Sequence, residues 1–192
     1  MPALLRSLVP FICSCEMKKT GVRKLSGNPL AAFISSKAAN DMKHILQKDE
    51  LIKRIDTCLQ MTSLPRDIYK PYIARPFQTS GFFDDLSPYI QIDSSGYILI
   101  QYERGIQMLH KRTKVADEVI YWILEDTIFL TVYIDMMRKY QVDNIQTHLP
   151  NDPSIHQQIV ERVNDSFRAI GGLYEQWHHE GKRASIETPA KK

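Results

Sequence analysis

The first hydrophobic pattern in the chain repeats at helical spacing near residue 50. A stripe of this kind predicts an amphipathic helix, here from Lys43 to Gln60, with Asp49 available as its cap and Pro65 after its end. The residues of the stripe are Leu51, Ile52, Ile55, Cys58 and Leu59.

Residues 65–88 interrupt any regular pattern. Four prolines and one glycine fall in this stretch, and such a density of breakers predicts an irregular loop. The loop also contains Phe77, Phe82 and Phe83. We expect these rings to close the edge of the hydrophobic core.

Alternation replaces helical spacing after this loop. The runs YIQID (89–93) and YILIQYE (97–103) are joined by Ser-Ser-Gly, whose Gly96 can take a positive φ, so the sequence predicts a β-hairpin. Both faces of the second run are largely apolar, which indicates a central or covered strand. The run IQMLHKRT (106–113) predicts a third antiparallel strand after a bend at Gly105.

A long helical pattern follows the predicted sheet, with Thr113 as its expected cap and an end near Tyr140. Its segment VIYWILEDTIFLTVYI is apolar almost all round, as a membrane span would be. However, Glu125 and Asp126 would both lie at mid-span, at a cost of about 3 kcal/mol for each carboxylate. The pattern therefore favours a buried central helix over a transmembrane span.

The carboxyl-terminal part predicts two more helices. The first spans about Ser154 to Ile170, and the glycine pair at 171–172 ends or bends it. A last helix then carries Tyr174 and Trp177. From about Ala184 the chain is expected to be mobile.

These elements predict an α+β fold, in which a small antiparallel three-stranded meander packs against a long central helix with further helices at both ends. A length of 192 residues suits one domain with appendages. We assign residues 42–183 to this domain and residues 184–192 to a mobile basic tail. Residues 1–41 are expected to form a poorly structured basic extension, either a gene-model artefact or a targeting segment.

Charge is distributed unevenly along the chain. The formal net charge is +3, but residues 1–41 carry +4, residues from 182 onward +3 and the body between them −4. An acidic body disfavours nucleic acid as a partner, and basic tails are commonly solvated. The region 115–143 alone sums to −4, so we predict an acidic docking patch for a protein with a basic surface. Its candidate residues are Asp117, Asp126, Asp135 and Asp143.

The cysteines and histidines give little support for a disulfide framework or a metal centre. Three cysteines, with no metal-ligand spacing, favour a reducing compartment and therefore the cytoplasm. The stretch FICSC, which ends at Cys15, leaves a lipid-anchored form open. The histidines are spaced poorly for sharing one ion, and no cofactor-binding motif is present. They include His148, His156, His178 and His179.

Two carboxylates of the long helix are the candidates for chemistry. Glu118 and Glu125 lie on one stripe that passes Tyr121 and Trp122, but their axial separation of about 10 Å is too large for sharing a proton. The favoured interpretation is structural, with Arg104 pairing with Glu125 or Glu118 so that the sheet is tied to the helix.

The runs YILIQYERG and TKVADEVIYWILEDTIFL resemble polymorphic-toxin immunity protein family 63, which shows a Tyr-led strand ending in Glu-Arg-Gly and a helix with Glu-x-x-Tyr-Trp-x-x-Glu. The resemblance covers roughly residues 51–177 and is strongest over residues 88–130. The motif positions, expected to be mostly scaffold, are Tyr97, Glu103, Arg104, Gly105, Thr113, Glu118, Tyr121, Trp122 and Glu125.

The resemblance implies a non-enzymatic immunity protein that binds and blocks a cognate secreted toxin delivered between competing bacteria. Two other hypotheses remain open. One is a lipoprotein anchored at Cys15 that protects the periplasm. The other is an enzyme that uses Glu118 or Glu125.

Overall fold

The fold combines a small sheet with a set of helices that pack on one long apolar helix. The computed structural model describes residues 45–78, 89–103, 106–142 and 148–183, and these contain one three-stranded antiparallel sheet and five α-helices. The predicted α+β class is confirmed. The helices are α1 (Lys48–Gln60), α2 (Arg66–Ile73), α3 (Ala116–Lys139), α4 (Pro153–Ile170) and α5 (Gly172–His179), and the strands are β1 (Tyr89–Asp93), β2 (Gly96–Glu103) and β3 (Ile106–Thr113).

Several predictions concern positions outside the described residues and stay predictions. They include the basic extension 1–41, the tail 184–192 and the lipid-anchored form. The individual residues are Phe82, Phe83, Arg104, Gly105 and Asp143.

The sheet follows the predicted meander, with β2 between β1 and β3. The turn between β1 and β2 is closed by the Asp93 carboxylate, which accepts a hydrogen bond of 2.7 Å from the backbone N–H of Ser95. Gly96 has φ +138°, and a Cβ there would lie 2.4 Å from the carbonyl oxygen of Thr113. Only glycine fits at this position, since any side chain would meet the backbone where β3 ends.

Helix α1 begins later than the sequence suggested. Residues 45–47 are not helical, and the Gln47 backbone N–H donates to the Glu50 carboxylate at 2.9 Å. This contact satisfies a backbone donor just before the first turn. The expected cap, Asp49, instead lies within the first turn, where its charge suits the helix dipole.

The predicted irregular loop is wrong in its first half, because residues 66–73 form helix α2 and residues 75–77 a short 3₁₀ helix. Pro71 lies inside α2 and removes one backbone donor. The helix forms nevertheless, since it buries Ile68, Tyr69 and Ile73 at helical spacing. Phe77 is buried, as expected.

Helix α3 is the central element and packs against α1, α2, α4 and β2. Seven consecutive residues, 119–125, are buried, which is about two full turns and therefore covers the whole circumference. The cap is Val115 and not Thr113, because β3 continues through Thr113. Within the described ranges, no helix is both long and apolar enough to cross a membrane.

The last two helices form as predicted, with α4 starting one residue earlier. The Asp152 side chain accepts a hydrogen bond of 2.8 Å from the backbone N–H of Ser154, and Pro153 occupies the first helical position. Gly171, with φ +69°, separates α4 from α5. Contacts between α4 and α3 place this pair of helices on the central helix.

Candidate functional site

Glu118 joins the end of the sheet to the central helix. Its carboxylate accepts a hydrogen bond of 2.7 Å from the Thr113 hydroxyl, which in turn accepts the backbone N–H of Val115 at 3.1 Å. The ammonium of Lys182 lies 3.1 Å from the same carboxylate. Burial opposes ionisation of Glu118, but the hydrogen bonds from Thr113 and Lys182 outweigh it and lower its pKa.

About two turns further along α3, Arg183 is held between two carboxylates. Its guanidinium donates to Glu125 at 3.1 Å and to Asp126 at 2.7 Å, and it lies 4.8 Å from the centre of the Trp122 ring. The Arg183 side chain is only 7% exposed. A buried cation of this kind requires such partners, because the desolvation of an unpaired charge costs on the order of several kcal/mol.

Aromatic residues of α5 complete the contact with α3. The Trp177 ring packs edge-on against Tyr121 at 5.7 Å, and the Lys182 ammonium lies 5.0 Å from the Trp177 ring centre. The Tyr174 hydroxyl donates to Asp117 at 2.7 Å. Burial and the Asp117 charge raise the pKa of Tyr174 well above its usual value. We call Arg183, Lys182, Trp177 and Tyr174 the carboxyl-terminal clasp.

The clasp is the part of the arrangement that sequence reasoning missed. From the sequence, Lys182 and Arg183 belong to a basic stretch that is expected to be solvated. The structure instead pairs both residues with carboxylates of helix α3. The predicted partner of Glu118 and Glu125 was Arg104, which lies outside the described residues. A local signal for the clasp is Gly181, whose φ of +66° allows the chain to turn just before Lys182.

The remaining motif positions lie in the sheet. Tyr97 is fully buried, and its hydroxyl donates to the backbone carbonyl of Leu46 at 3.3 Å, which connects β2 to the segment before α1. Burial raises the pKa of Tyr97. Glu103 is the last residue of β2.

The described residues of the predicted acidic patch do not lie together on one surface. Asp117, Asp126 and Asp135 are each nine positions apart, which is about two and a half turns, so neighbours in this series lie on opposite sides of α3. Each is also engaged, since Tyr174 donates to Asp117, Arg183 to Asp126, and Arg162 to Asp135 at 2.6 Å.

The most exposed large hydrophobic side chains lie instead on β3. Ile106 is 66% exposed and Met108 is 58% exposed. Basic residues follow them along the same strand and into the connection to α3, where Val115 is 47% exposed. We call residues 106–115 the β3 strip.

The described histidines do not form part of a group that could bind a metal ion. Among the described residues there is no group of three or more His, Cys, Asp or Glu side chains that could hold an ion. His178 stacks on Phe167 with ring centres 4.1 Å apart, and its Nε2 lies 2.8 Å from Asn164 Oδ1. Burial, helped by neighbouring His179, lowers the pKa of His178 to about 4.

Comparison with known families gives the class of protein to which these elements belong. Residues 93–187 match a family of immunity proteins, and this region contains β2, β3, the three helices α3 to α5 and the clasp. The family is immunity protein 63, and residues 93–187 of the chain are similar to it. The suspected family is confirmed, although the match begins later and ends later than the resemblance suggested. No curated protein and no solved structure matches the chain.

Proposed function

We propose that this chain binds a cognate secreted toxin by direct protein contact, and thereby protects the cell that produces both proteins. The observation that carries the proposal is the match to immunity protein 63 over residues 93–187. The matched region forms the central helix, its clasp and two strands, so the family's shared sequence corresponds to a packed scaffold that can present a binding surface.

A non-enzymatic mode of action is part of the proposal. The two carboxylates considered for catalysis are both engaged, Glu118 by Thr113 and Lys182, and Glu125 by Arg183. Groups held in this way stabilise the contact between elements, and a general acid or base would need to reach a substrate. Stoichiometric blocking of the toxin therefore fits the geometry better than turnover.

Action in the cytoplasm also belongs to the proposal, in keeping with the family and with Cys58, a free and buried thiol. Burial raises the pKa of this thiol to about 12, which keeps it protonated. Fractionation of cells grown with a labelled fatty acid separates the two locations. Labelled chain in the membrane fraction would favour the lipoprotein at Cys15 instead.

A growth-rescue experiment tests the proposed function. The product of the gene immediately upstream is expressed from an inducible promoter in cells with and without this chain. We expect growth to be restored by the wild-type chain and not by Gly96→Val, because valine at Gly96 meets the Thr113 backbone and prevents folding. Failure of the wild-type chain to protect would contradict the proposal.

A titration in vitro distinguishes binding from enzymatic detoxification. Increasing amounts of the chain are added to a fixed amount of the purified toxin, and residual toxin activity is measured. We expect activity to reach its minimum near equimolar chain, because each bound chain blocks one toxin. Complete loss at a small fraction of equimolar would indicate turnover.

A further inference from the structure

We propose that the β3 strip, residues 106–115, is the surface that contacts the toxin, and that it receives an apolar segment of the toxin flanked by acidic side chains. This inference rests on the proposed function and names the contact surface and the chemistry of the partner. It also replaces the acidic docking patch on α3 that the sequence suggested.

Exposure of hydrophobic side chains is the first observation. Ile106 and Met108 are the two most exposed large hydrophobic residues in the part of the chain that the structure describes. Two such side chains, separated by one residue on an edge strand, expose apolar area that a soluble protein normally covers. Methionine is also a residue that interfaces favour, because its flexible side chain adapts to a partner.

Charge is the second observation and decides the chemistry of the partner. The strip contains no Asp or Glu, and its basic residues are Lys111, Arg112 and Lys114, of which Lys111 is half-buried and its charge acts on Glu118. Arg112 lies 3.4 Å from Asp93, but this pair is exposed, with side-chain exposures of 53% and 42%. Lys114 is exposed. A basic surface attracts an acidic one, so the matching region of the toxin carries Asp or Glu.

The position of β3 in the sheet is the third observation. Among the described strands, β3 pairs only with β2, so its other edge is not covered by a further strand of this sheet. From Ile106 to Thr113 the strand extends over about 23 Å at its usual rise per residue. An extended toxin segment of about six to eight residues matches this length and can lie along this edge of β3.

The same charges argue against a second copy of this chain as the occupant. A second strip contains no Asp or Glu that could pair with Arg112 and Lys114 of the first, and it adds only further basic residues. Like charges across an interface suppress association. A toxin with acidic side chains removes this repulsion.

Binding kinetics with four variants test the proposal, and the probe is the purified upstream gene product against which the growth-rescue experiment tests the chain. Met108→Asp is compared with Leu173→Asp, since Leu173 is an exposed hydrophobic residue of α5, 39% exposed and outside the strip. Lys114→Glu is compared with Lys53→Glu, which reverses an exposed charge on α1. Circular dichroism confirms that all four variants fold.

Each pair has its own expected signature. Met108→Asp should weaken binding at least about tenfold, mainly through faster dissociation, because it places a carboxylate in an apolar contact. Lys114→Glu should slow association about threefold to tenfold and reduce its dependence on salt, because it removes attraction at long range. Leu173→Asp and Lys53→Glu should bind as the wild type does.

The outcomes separate the contact surface from the proposed function. If the wild-type chain binds the toxin while Met108→Asp and Lys114→Glu bind equally well, the strip is not the contact surface and the proposed function stands. If the wild-type chain does not bind the toxin, the proposed function and the assignment of the contact surface are both overturned. Sedimentation of the free chain adds a further check, since a dimer that Met108→Asp converts to a monomer would show that the strip contacts a second copy.

Discussion

Helix α3 and the β3 strip carry opposite charges and use them in opposite ways. The acidic residues described on α3 are held by other side chains of the same chain, as Arg183 holds Glu125 and Asp126. In the strip, the exposed basic residues Arg112 and Lys114 follow exposed Ile106 and Met108, while Lys111 is half-buried. The charges of α3 therefore serve the fold, whereas Arg112 and Lys114 of the strip lie at the surface.

This difference shows why net charge along the sequence is a poor guide to a docking surface. The region 115–143 has the larger sum, −4, and for that reason was the predicted patch. Its charges are matched by Lys182, Arg183 and Arg162, which come from distant parts of the chain. Exposure after folding, and not the sum of charges in a segment, indicates which surface can bind.

Removal of Arg183 should have the largest effect on stability. Arg183→Ala leaves Glu125 buried with no cation from the clasp, and we expect it to lower the free energy of unfolding by about 3 to 5 kcal/mol. Arg168→Ala is the matched control, because its pair with Asp165 is 65% exposed on both sides and should cost less than about 0.5 kcal/mol. Urea unfolding of both variants measures the difference. Equal effects would mean that the clasp does not stabilise α3.

Acid should weaken the packing of α5 through His178. Its pKa is about 4 in the folded chain and 6.5 ordinarily, so the unfolded chain takes up the proton first as the pH falls. The stabilising contribution is complete above pH 6.5 and lost between pH 6.5 and about 4, amounting to roughly 3 kcal/mol. His178→Phe should flatten this part of the pH profile of unfolding. An unchanged profile would refute the assignment to His178.

Loss of the Tyr174 hydroxyl should have a moderate effect. Tyr174→Phe removes the donor to Asp117 and keeps the ring, so we expect a loss of about 1 kcal/mol in the free energy of unfolding. The control is Tyr140→Phe, at a tyrosine that is 37% exposed and should tolerate the change. Thermal unfolding measures both. If Tyr174→Phe leaves the thermal stability unchanged, the hydrogen bond between Tyr174 and Asp117 does not stabilise the contact of α5 with α3.

Reversal of a charge on the β3 strip should affect stability least. Lys114 is exposed and precedes α3, so Lys114→Glu should change the free energy of unfolding by less than about 0.5 kcal/mol. Chemical unfolding of the variant gives this value. A loss comparable to that of Arg183→Ala would assign the strip to the fold, and the contrast between the two regions would disappear.

Most of the elements could be predicted because their signals are local. Alternation around Gly96 predicts the hairpin, and the apolar run after Val115 predicts α3. Helix α2 was missed because Pro71 is a strong local breaker, and the burial of Ile68 and Tyr69 that overrides it depends on packing.

The partners of the site residues could not be predicted in the same way. Arg183 reaches Glu125 across 58 positions and Asp126 across 57, and no spacing rule connects residues so far apart. The motif around Glu118 and Glu125 indicates that these residues matter to the family, but not which cation meets them. Arg104 was predicted as the partner from its position at the end of the hairpin strand and lies outside the described residues, while among the described residues Lys182 and Arg183 meet these carboxylates.

Oxidative footprinting of the wild-type chain, alone and bound to the toxin, tests the central claim most directly. Met108 is 58% exposed and reacts readily when free, while Met137 on α3 serves as an internal reference. We expect the toxin to reduce oxidation of Met108 several-fold and to leave Met137 unchanged. Undiminished oxidation of Met108 in the complex, together with protection of Met137, would contradict the assignment of the toxin contact to the β3 strip.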